Sequence, residues 1–271
     1  MMKIDENKEK RIEIFEDTMG RIHTSRYLYD ACEYSKKNTK MIQMDDLTIE
    51  KTLEKTGKIV VVNDRTFNSC INETGKIAVL NFASATNPGG GVKTGSNAQE
   101  ECLCRCSTLY PCLNQKEFLE NFYMYHRNKK DPFYDNLALY TKDVLIFKTD
   151  TKLPHMIRDR EEWKKVDVIT SAAPNLRNVA SVDETKLRKI LYDRILGIIK
   201  LGINNDVDVL VLGAFGCGAF KNPPEIVSDI FYEILVKENY RKYFEKVIFA
   251  VFGVPNKDMI NFEIFNKKFN H

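Results

Sequence analysis

Two adjacent glutamates, Glu100 and Glu101, follow a run of three glycines at residues 89–91. The glycines come soon after the apolar run KIAVLNF at residues 76–82, which predicts a buried strand. Glycine lets the backbone adopt positive φ and approach a ligand closely because it has no Cβ atom. A glycine run between a buried strand and an acidic pair therefore indicates a binding loop that carries two candidate catalytic carboxyl groups.

Both glutamates are predicted to lie at the start of a helix over residues 96–110. Ser96 as N-cap with Gln99 three residues later fits a capping box. Adjacent helical side chains point about 100° apart, so the two glutamates need not share a role. Acidic residues also complement the dipole at a helix N-terminus, and this purely structural role is the alternative.

A carboxyl pair of this kind suits hydrolysis of a glycosidic bond. Departure of a sugar oxygen requires a proton donor, and the remaining oxocarbenium ion requires a water molecule activated by a base. One carboxyl group can perform both steps if it begins protonated. The helix dipole lowers a carboxyl pKa, whereas burial and a neighbouring carboxylate raise it, and the sequence leaves this balance open.

A second glycine loop follows the apolar run VDVLVL. Its spacing, Gly213-x-x-Gly216-x-Gly218, resembles a phosphate cradle in which backbone N–H groups face an anion. Phe215 and Phe220 flank the glycines and could pack against a ribose or a base. The alternative is a tight strand-to-helix turn with both phenylalanines in the core.

The elements that must position these loops alternate along the chain. Apolar, β-branched runs predict strands at residues 58–63, 76–82, 144–147, 166–170, 207–212 and 246–252. Helical periodicity predicts helices at residues 96–110, 184–201 and 225–239 and through the first fifty-odd residues. We therefore expect a three-layer α/β fold with a mixed central sheet, and ligands beyond the carboxyl ends of its strands.

The composition is that of a globular protein, with 271 residues, 43% hydrophobic residues and a net charge of +3. So small a charge does not predict specific nucleic-acid binding. The seven cysteines are an odd number in a long chain, which argues against a secreted disulfide framework. The charged first seventeen residues do not resemble a signal peptide, and no apolar run approaches the roughly 20 residues of a membrane span. We expect an intracellular protein, cytoplasmic or nuclear, with no membrane partner.

A metal site is not predicted. Cys102, Cys104 and Cys106 place two thiols on one face of a helix and one across from them, unlike the usual zinc pairs. The histidines are scattered and match no ligand spacing. We therefore expect a protein that works without a metal or another cofactor.

Taken together, the two loops resemble the microbial-type poly(ADP-ribose) glycohydrolases of the macrodomain superfamily. That family's signature is three glycines, a short spacer and Gln-Glu-Glu, which stand here at residues 89–91 and 99–101. VLNFASATNPGGG, QEECLCRCSTLYPCL, VITSAAPN and VLGAFGCGAFKNPPE also look like family segments in the expected order. The resemblance covers roughly residues 10–255. It implies a macrodomain-like core at residues 56–271, with a helical accessory segment at residues 1–55 packed on it as one structural unit.

The resemblance also implies the roles of individual residues. Glu101 matches the catalytic acid/base, and Glu100 matches the partner that holds the ribose against it. The loop at residues 216–218 matches the diphosphate site, and Phe220 matches the aromatic that orients the terminal ribose. The substrate-binding residues implied in this way are Asn87, Gly89, Gly90, Gly91, Gln99, Phe215, Gly216, Cys217, Gly218, Ala219 and Phe220.

The activity implied is hydrolysis of the α(1″→2′) ribose–ribose bonds of poly(ADP-ribose), releasing ADP-ribose. The partners implied are this polymer, ADP-ribose and ADP-ribosylated proteins, in reversal of ADP-ribosylation such as accompanies the DNA damage response, and a monomer is expected. Two alternatives remain open: a macrodomain that only binds ADP-ribose, and a hydrolase of mono(ADP-ribosyl) linkages with the same fold. Glu100 and Glu101 favour an enzyme, since a binding module needs no acid/base.

Overall fold

The computed structural model describes residues 6–270. Its strands are β1 (Thr39–Gln43), β2 (Lys58–Val62), β3 (Ile77–Phe82), β4 (Leu137–Ile146), β5 (Lys164–Ser171), β6 (Val209–Leu212) and β7 (Lys246–Ala250). They form one sheet in the order β1-β4-β5-β3-β6-β7-β2. β1, β4 and β5 pair antiparallel, and β5, β3, β6, β7 and β2 run parallel. The mixed sheet predicted from the sequence is confirmed.

Helices cover both faces of this sheet. Those in the described part of the chain are α1 (Glu6–Thr24), α2 (Arg26–Lys37), α3 (Gln99–Cys106), α4 (Leu109–Leu113), α5 (Lys116–Phe118), α6 (Tyr125–Lys129), α7 (Glu184–Asn204), α8 (Pro224–Tyr232) and α9 (Ile260–Phe269). π-Helical turns at Leu119–Met124 and Glu233–Lys237 continue α5 into α6 and extend α8. Within residues 6–270, no helix has both the length and the hydropathy of a membrane span.

The central strand β3 shows why the apolar runs are continuous rather than alternating. Ala78 and Leu80 pack in a core under α7, α8 and α9, whereas Ile77 and Val79 pack in a core under α1, α3 and α4. All four are almost completely buried. Because burial of one aliphatic side chain contributes about 1.5–3 kcal/mol, a strand covered on both faces must be apolar at successive positions.

The structure corrects the helical prediction for the first fifty-odd residues. Helices α1 and α2 are present, but the prediction is wrong for Thr39–Gln43, which form the edge strand β1 paired with β4. Most β1 side chains are exposed, so the strand has little apolar pattern to reveal it. The division into residues 1–55 and 56–271 stays a prediction, and residues 1–5 and 271 lie outside the described residues.

The predicted helix over residues 96–110 is also corrected. It begins at Gln99 after Ala98, so the capping box with Ser96 as N-cap is wrong. It ends at Cys106 because β4 takes over the backbone hydrogen bonds: Thr108 N donates to Leu145 O, and Phe147 N donates to Cys106 O. Glu100 and Glu101 nonetheless lie in the first turn, as predicted.

Helix α1 braces the segment between the glycine loop and α3. Arg11 Nε donates to Gly95 O at 2.7 Å, and Thr18 Oγ1 donates to Arg105 O at 2.7 Å. A T-shaped contact between Phe15 and a tyrosine of α4, with ring centroids 4.9 Å apart, completes the attachment. The N-terminal helix is therefore packed directly on the elements that carry Glu100 and Glu101.

We predict that Gly95→Ala lowers the free energy of unfolding in urea by at least about 1 kcal/mol, because Gly95 has φ of +74°. An added Cβ would also lie 2.5 Å from Lys8 O in α1. The control is Gly20→Ala in the middle of α1, where no atom lies within 4 Å of the added Cβ. We expect Gly20→Ala to raise the free energy of unfolding by about 0.5–1 kcal/mol. Equal behaviour of the two variants would contradict the proposed bracing contact.

Candidate active site

A cavity of about 680 Å³ lies beyond the carboxyl ends of the parallel strands. Most of its walls come from the loops that follow β2, β3, β5, β6 and β7, together with the first turn of α3. This is the edge where ligands bind in parallel α/β sheets, and the volume suits a small-molecule ligand.

Gln99 attaches the first turn of α3 to the end of β3. Its Oε1 accepts from Phe82 N at 2.9 Å, and its Nε2 donates to Leu80 O at 2.7 Å and to Thr66 Oγ1 at 3.0 Å. The amide thus uses both donors and its acceptor on the protein itself. Gln99 borders the cavity, but its hydrogen bonds position the helix.

Glu100 is 3% exposed and is held on both carboxyl oxygens. Ser84 N donates to its Oε2 at 2.8 Å, and Asn81 Nδ2 approaches its Oε1 at 3.4 Å. Burial, with a further contribution from the neighbouring Glu101, raises the pKa of Glu100 to about 8, although these hydrogen bonds oppose the change. Burial therefore favours the protonated form of Glu100 over the carboxylate, compared with an exposed glutamate.

Glu101 is 7% exposed and is held on one oxygen only. Gly91 N donates to its Oε1 at 2.8 Å, whereas Oε2 is buried with no hydrogen-bond partner among the described residues. A desolvated carboxyl oxygen without a partner is unfavourable. Because Glu101 borders the cavity, a bound ligand can supply the missing hydrogen bond to this oxygen.

The absence of a side chain in the glycine run leaves space for both carboxyl groups. A Cβ added at Gly90, where φ is +58°, would lie 2.5 Å from Glu101 Oε1 and 3.1 Å from Glu100 Oε2. The two carboxyl groups therefore flank the same glycine, and any other residue there would strain the backbone and displace a carboxyl group. Gly89 instead packs against the Tyr110 ring and does not border the cavity.

The second glycine loop forms another wall of the cavity. Gly216 has φ of +75°, and an added Cβ would lie 2.5 Å from Ala173 Cβ and 2.6 Å from Asn222 Nδ2. Gly218 differs, because no atom lies within 4 Å of its added Cβ. Gly216 thus shapes the turn, whereas Gly218 leaves open space on the cavity side.

The aromatic residues and Cys217 of this loop have different surroundings. Phe215 is completely buried and packs edge to face against Phe82, with centroids 5.9 Å apart, although it borders the cavity. Phe220 lines the cavity next to Tyr134, with ring centroids 6.5 Å apart. The side chain of Cys217 packs on the core and does not line the cavity.

The structure thus brings most of the residues predicted from the sequence to one cavity. Those that line it are Asn87, Gly90, Gly91, Gln99, Glu100, Glu101, Phe215, Gly216, Gly218, Ala219 and Phe220. Gly89 and Cys217 lie in the same loops but not on the cavity wall.

Other lining residues were missed by the sequence analysis. Arg65 follows β2 and Phe252 follows β7, and the Arg65 guanidinium lies 4.5 Å from the centre of the Phe252 ring. The position of Arg65 just after a predicted strand could have indicated it, whereas Phe252 fell inside the strand predicted at residues 246–252. Tyr134 and Arg177 also line the cavity, and no sequence pattern pointed to either.

Cys104 and Cys106 of α3 belong to the core, whereas Cys102 borders the cavity. Cys102, Cys104 and Cys106 are free thiols, each at most 2% exposed, and burial raises the pKa of all three. Arg105 makes no hydrogen bond to Glu101; it donates to Ser96 O at 2.6 Å and to Asn97 Oδ1 at 2.9 Å. Among residues 6–270, no group of three or more potential ligands is placed to hold a metal ion.

A cavity over parallel strand ends, with two buried glutamates beside a glycine loop, suits glycoside hydrolysis, which uses paired carboxyl groups. Residues 9–149, more than half of the chain, match the family described as "Microbial-type PARG, catalytic domain". The chain belongs to this family.

Solved structures of bacterial poly(ADP-ribose) glycohydrolases are similar to most of this chain. The enzyme from Thermomonospora curvata is 26% identical, with a TM-score of 0.86, and the match covers 96% of this chain and 100% of that one. Its complex with the inhibitor ADP-HPD is 27% identical, at the same coverage and TM-score. The Deinococcus radiodurans enzyme in complex with ADP-ribose is 27% identical, with a TM-score of 0.78, covering 88% of this chain and 96% of that one. No curated protein matches the sequence.

We predict that Glu100 makes the protein less stable as pH rises from about 4.5, its unfolded pKa, to about 8, its folded pKa. The folded state binds one proton more than the unfolded state in this window, so deprotonation favours unfolding. Glu100→Gln should remove this component, and the difference should appear in urea midpoints measured at a series of pH values. Identical pH dependence in the two proteins would contradict the raised pKa.

Proposed function

We propose that the protein hydrolyses the α(1″→2′) ribose–ribose bonds of poly(ADP-ribose) and releases ADP-ribose, with Glu101 as acid/base and Glu100 as the residue that positions the ribose. The observation that carries the proposal is the pair of buried carboxyl groups flanking Gly90 at the cavity wall, only one of which has a free oxygen. The resemblance to enzymes solved with ADP-ribose and ADP-HPD supports the choice of substrate.

The order of the loops along the sheet edge supports an extended conformation of bound ADP-ribose across three neighbouring loops. The glutamates and Asn87 follow β3, and the loop at residues 216–220 follows the neighbouring β6. Phe252 follows β7, beyond β6, and is 53% exposed in the cavity rim. We place the terminal ribose beside the loop after β3 and the diphosphate at the loop after β6. The adenine then lies against the Phe252 ring after β7.

The two glutamates have different roles in the reaction because their hydrogen bonds differ. Both oxygens of Glu100 accept hydrogen bonds from the protein, so its carboxyl group is fixed in position to hold a ribose hydroxyl. Oε2 of Glu101 is without a protein partner and is assigned the transfer of a proton to the departing ribose oxygen. The same carboxylate then takes a proton from the attacking water. We further propose that this reaction needs no metal or cofactor. The polymer is attached to ADP-ribosylated proteins, and the chain acts as a monomer.

We expect Glu101→Gln to reduce kcat by at least about 100-fold, the contribution of a general acid/base. Binding of ADP-ribose should change little, because glutamine keeps the shape and can still accept from Gly91 N. Release of ADP-ribose from purified poly(ADP-ribose) measures the first effect, and calorimetry measures the second. The control is Glu263→Gln on the exposed face of α9. Full activity of Glu101→Gln would exclude the mechanism, and binding without release by the wild type would indicate a reader module.

We expect Gly218→Val to weaken ADP-ribose binding by about tenfold or more, equivalent to about 1.4 kcal/mol, because its side chain would occupy the space assigned to the diphosphate. The thermal midpoint should stay unchanged, since no protein atom lies within 4 Å of the added Cβ. Gly216→Ala is the contrasting variant and should lower the midpoint through its positive φ and its close contacts. Unchanged affinity in Gly218→Val would exclude this position for the diphosphate.

A further inference from the structure

Tyr134 stands out in the segment of residues 131–136, between α6 and β4, because its backbone is left-handed. Its φ is +56°, a conformation that disfavours bulky side chains. Such strain persists only where the surrounding structure enforces it, and it is concentrated at ligand sites. Tyr134 lines the cavity, so the strained residue and the candidate site coincide.

A buried arginine on α7 enforces this conformation. Arg194 is 2% exposed, and its Nη2 donates to Phe133 O at 3.2 Å and to Tyr134 O at 3.1 Å. Its Nε donates to Asn136 Oδ1 at 3.0 Å, and its Nη1 donates to Ala172 O just after β5. Although burial lowers the pKa of Arg194 to about 10, it remains charged at neutral pH and makes charge-assisted hydrogen bonds.

Two further hydrogen bonds fix the ends of the segment. Asn175 N donates to Pro132 O at 2.7 Å, and Asp135 N donates to His126 Nε2 at 3.3 Å. His126 Nδ1 is 2.8 Å from Phe122 O, so Nδ1 carries the proton and Nε2 accepts. Burial lowers the pKa of His126, which favours this neutral form. The segment is thus held by several contacts that do not involve the tyrosine ring.

The ring of Tyr134 lies at the cavity wall beside Phe220. It faces Phe220 at 6.5 Å between centroids and packs on the His126 ring at 5.6 Å. The tyrosine hydroxyl lies 3.5 Å from Asn175 Nδ2, another lining group. Phe220 and Tyr134 are therefore neighbouring aromatic side chains that line one part of the cavity.

We propose that Tyr134 is a substrate-binding residue, whose ring is held by the Arg194 contacts so that it and Phe220 enclose the terminal ribose. This proposal rests on the proposed function for the identity of the ligand. Glycine or asparagine would adopt the same backbone with less strain. The presence of tyrosine is therefore explained by what its ring contacts.

The test compares Tyr134→Gly, Tyr134→Asn and Tyr134→Phe. Glycine and asparagine suit the left-handed backbone but remove the ring, whereas phenylalanine keeps the ring and the strain. We expect the Kd for ADP-ribose and the KM for poly(ADP-ribose) to rise about tenfold in the first two variants and less than about threefold in Tyr134→Phe. A merely structural role gives the opposite order, with glycine and asparagine equal to the wild type.

Lys130→Gly provides the matched control. Lys130 has φ of +55°, lies four residues away, is exposed and does not line the cavity. Its replacement relieves the same strain and should leave the Kd unchanged. Thermal midpoints of all variants show that each is folded before its Kd is compared.

Binding and hydrolysis separate this proposal from the proposed function. If the wild type binds ADP-ribose without degrading the polymer, the glycohydrolase assignment fails, and the Kd series still decides the role of Tyr134. If folded Tyr134→Gly and Tyr134→Asn bind ADP-ribose as tightly as the wild type, the Tyr134 proposal is overturned, whatever the enzyme activity.

Discussion

The side-chain amide of Gln99 fixes the position of α3 relative to β3, and the rest of the site depends on that position. It hydrogen-bonds to the backbone at both Leu80 and Phe82, so the first turn of α3 cannot shift along β3. The next two residues are the glutamates, and their directions follow from this attachment. Glu100 turns back toward the end of β3, and Glu101 turns toward the glycine run. Each hydrogen bond contributes only about 1 kcal/mol net, but together they select one register.

A second group of contacts holds the other side of α3 through the N-terminal helix. Lys148, just after β4, is 2% exposed, and its Nζ donates to Ile14 O at 3.0 Å and to Thr18 Oγ1 at 2.7 Å. It also pairs with Asp17 at 2.7 Å. A buried ammonium group needs such partners because desolvation disfavours its charge. These contacts and those of Thr18 to α3 make the N-terminal helix part of the support of the site.

Much of the site could be predicted because its residues are close in sequence. The glycine run, the glutamate pair and the second glycine loop each lie within one strand-to-helix connection, and the parallel strands bring these connections together. The side chain of Gln99 was expected to bind substrate, but its bonds to β3 depend on distant residues. Tyr134 and Arg194 are sixty residues apart, and no local pattern joins them. Edge strand β1 was missed because its exposed side chains lack the periodicity that burial imposes.

The buried thiols of α3 react less readily than exposed cysteines would. Thiolates, and not thiols, react quickly with peroxides and alkylating agents. Because burial raises the pKa of Cys104 and Cys106, and the core encloses both side chains, these two thiols stay protonated. They are therefore poor targets for oxidants and alkylating agents, although they lie on the same helix as Glu100 and Glu101.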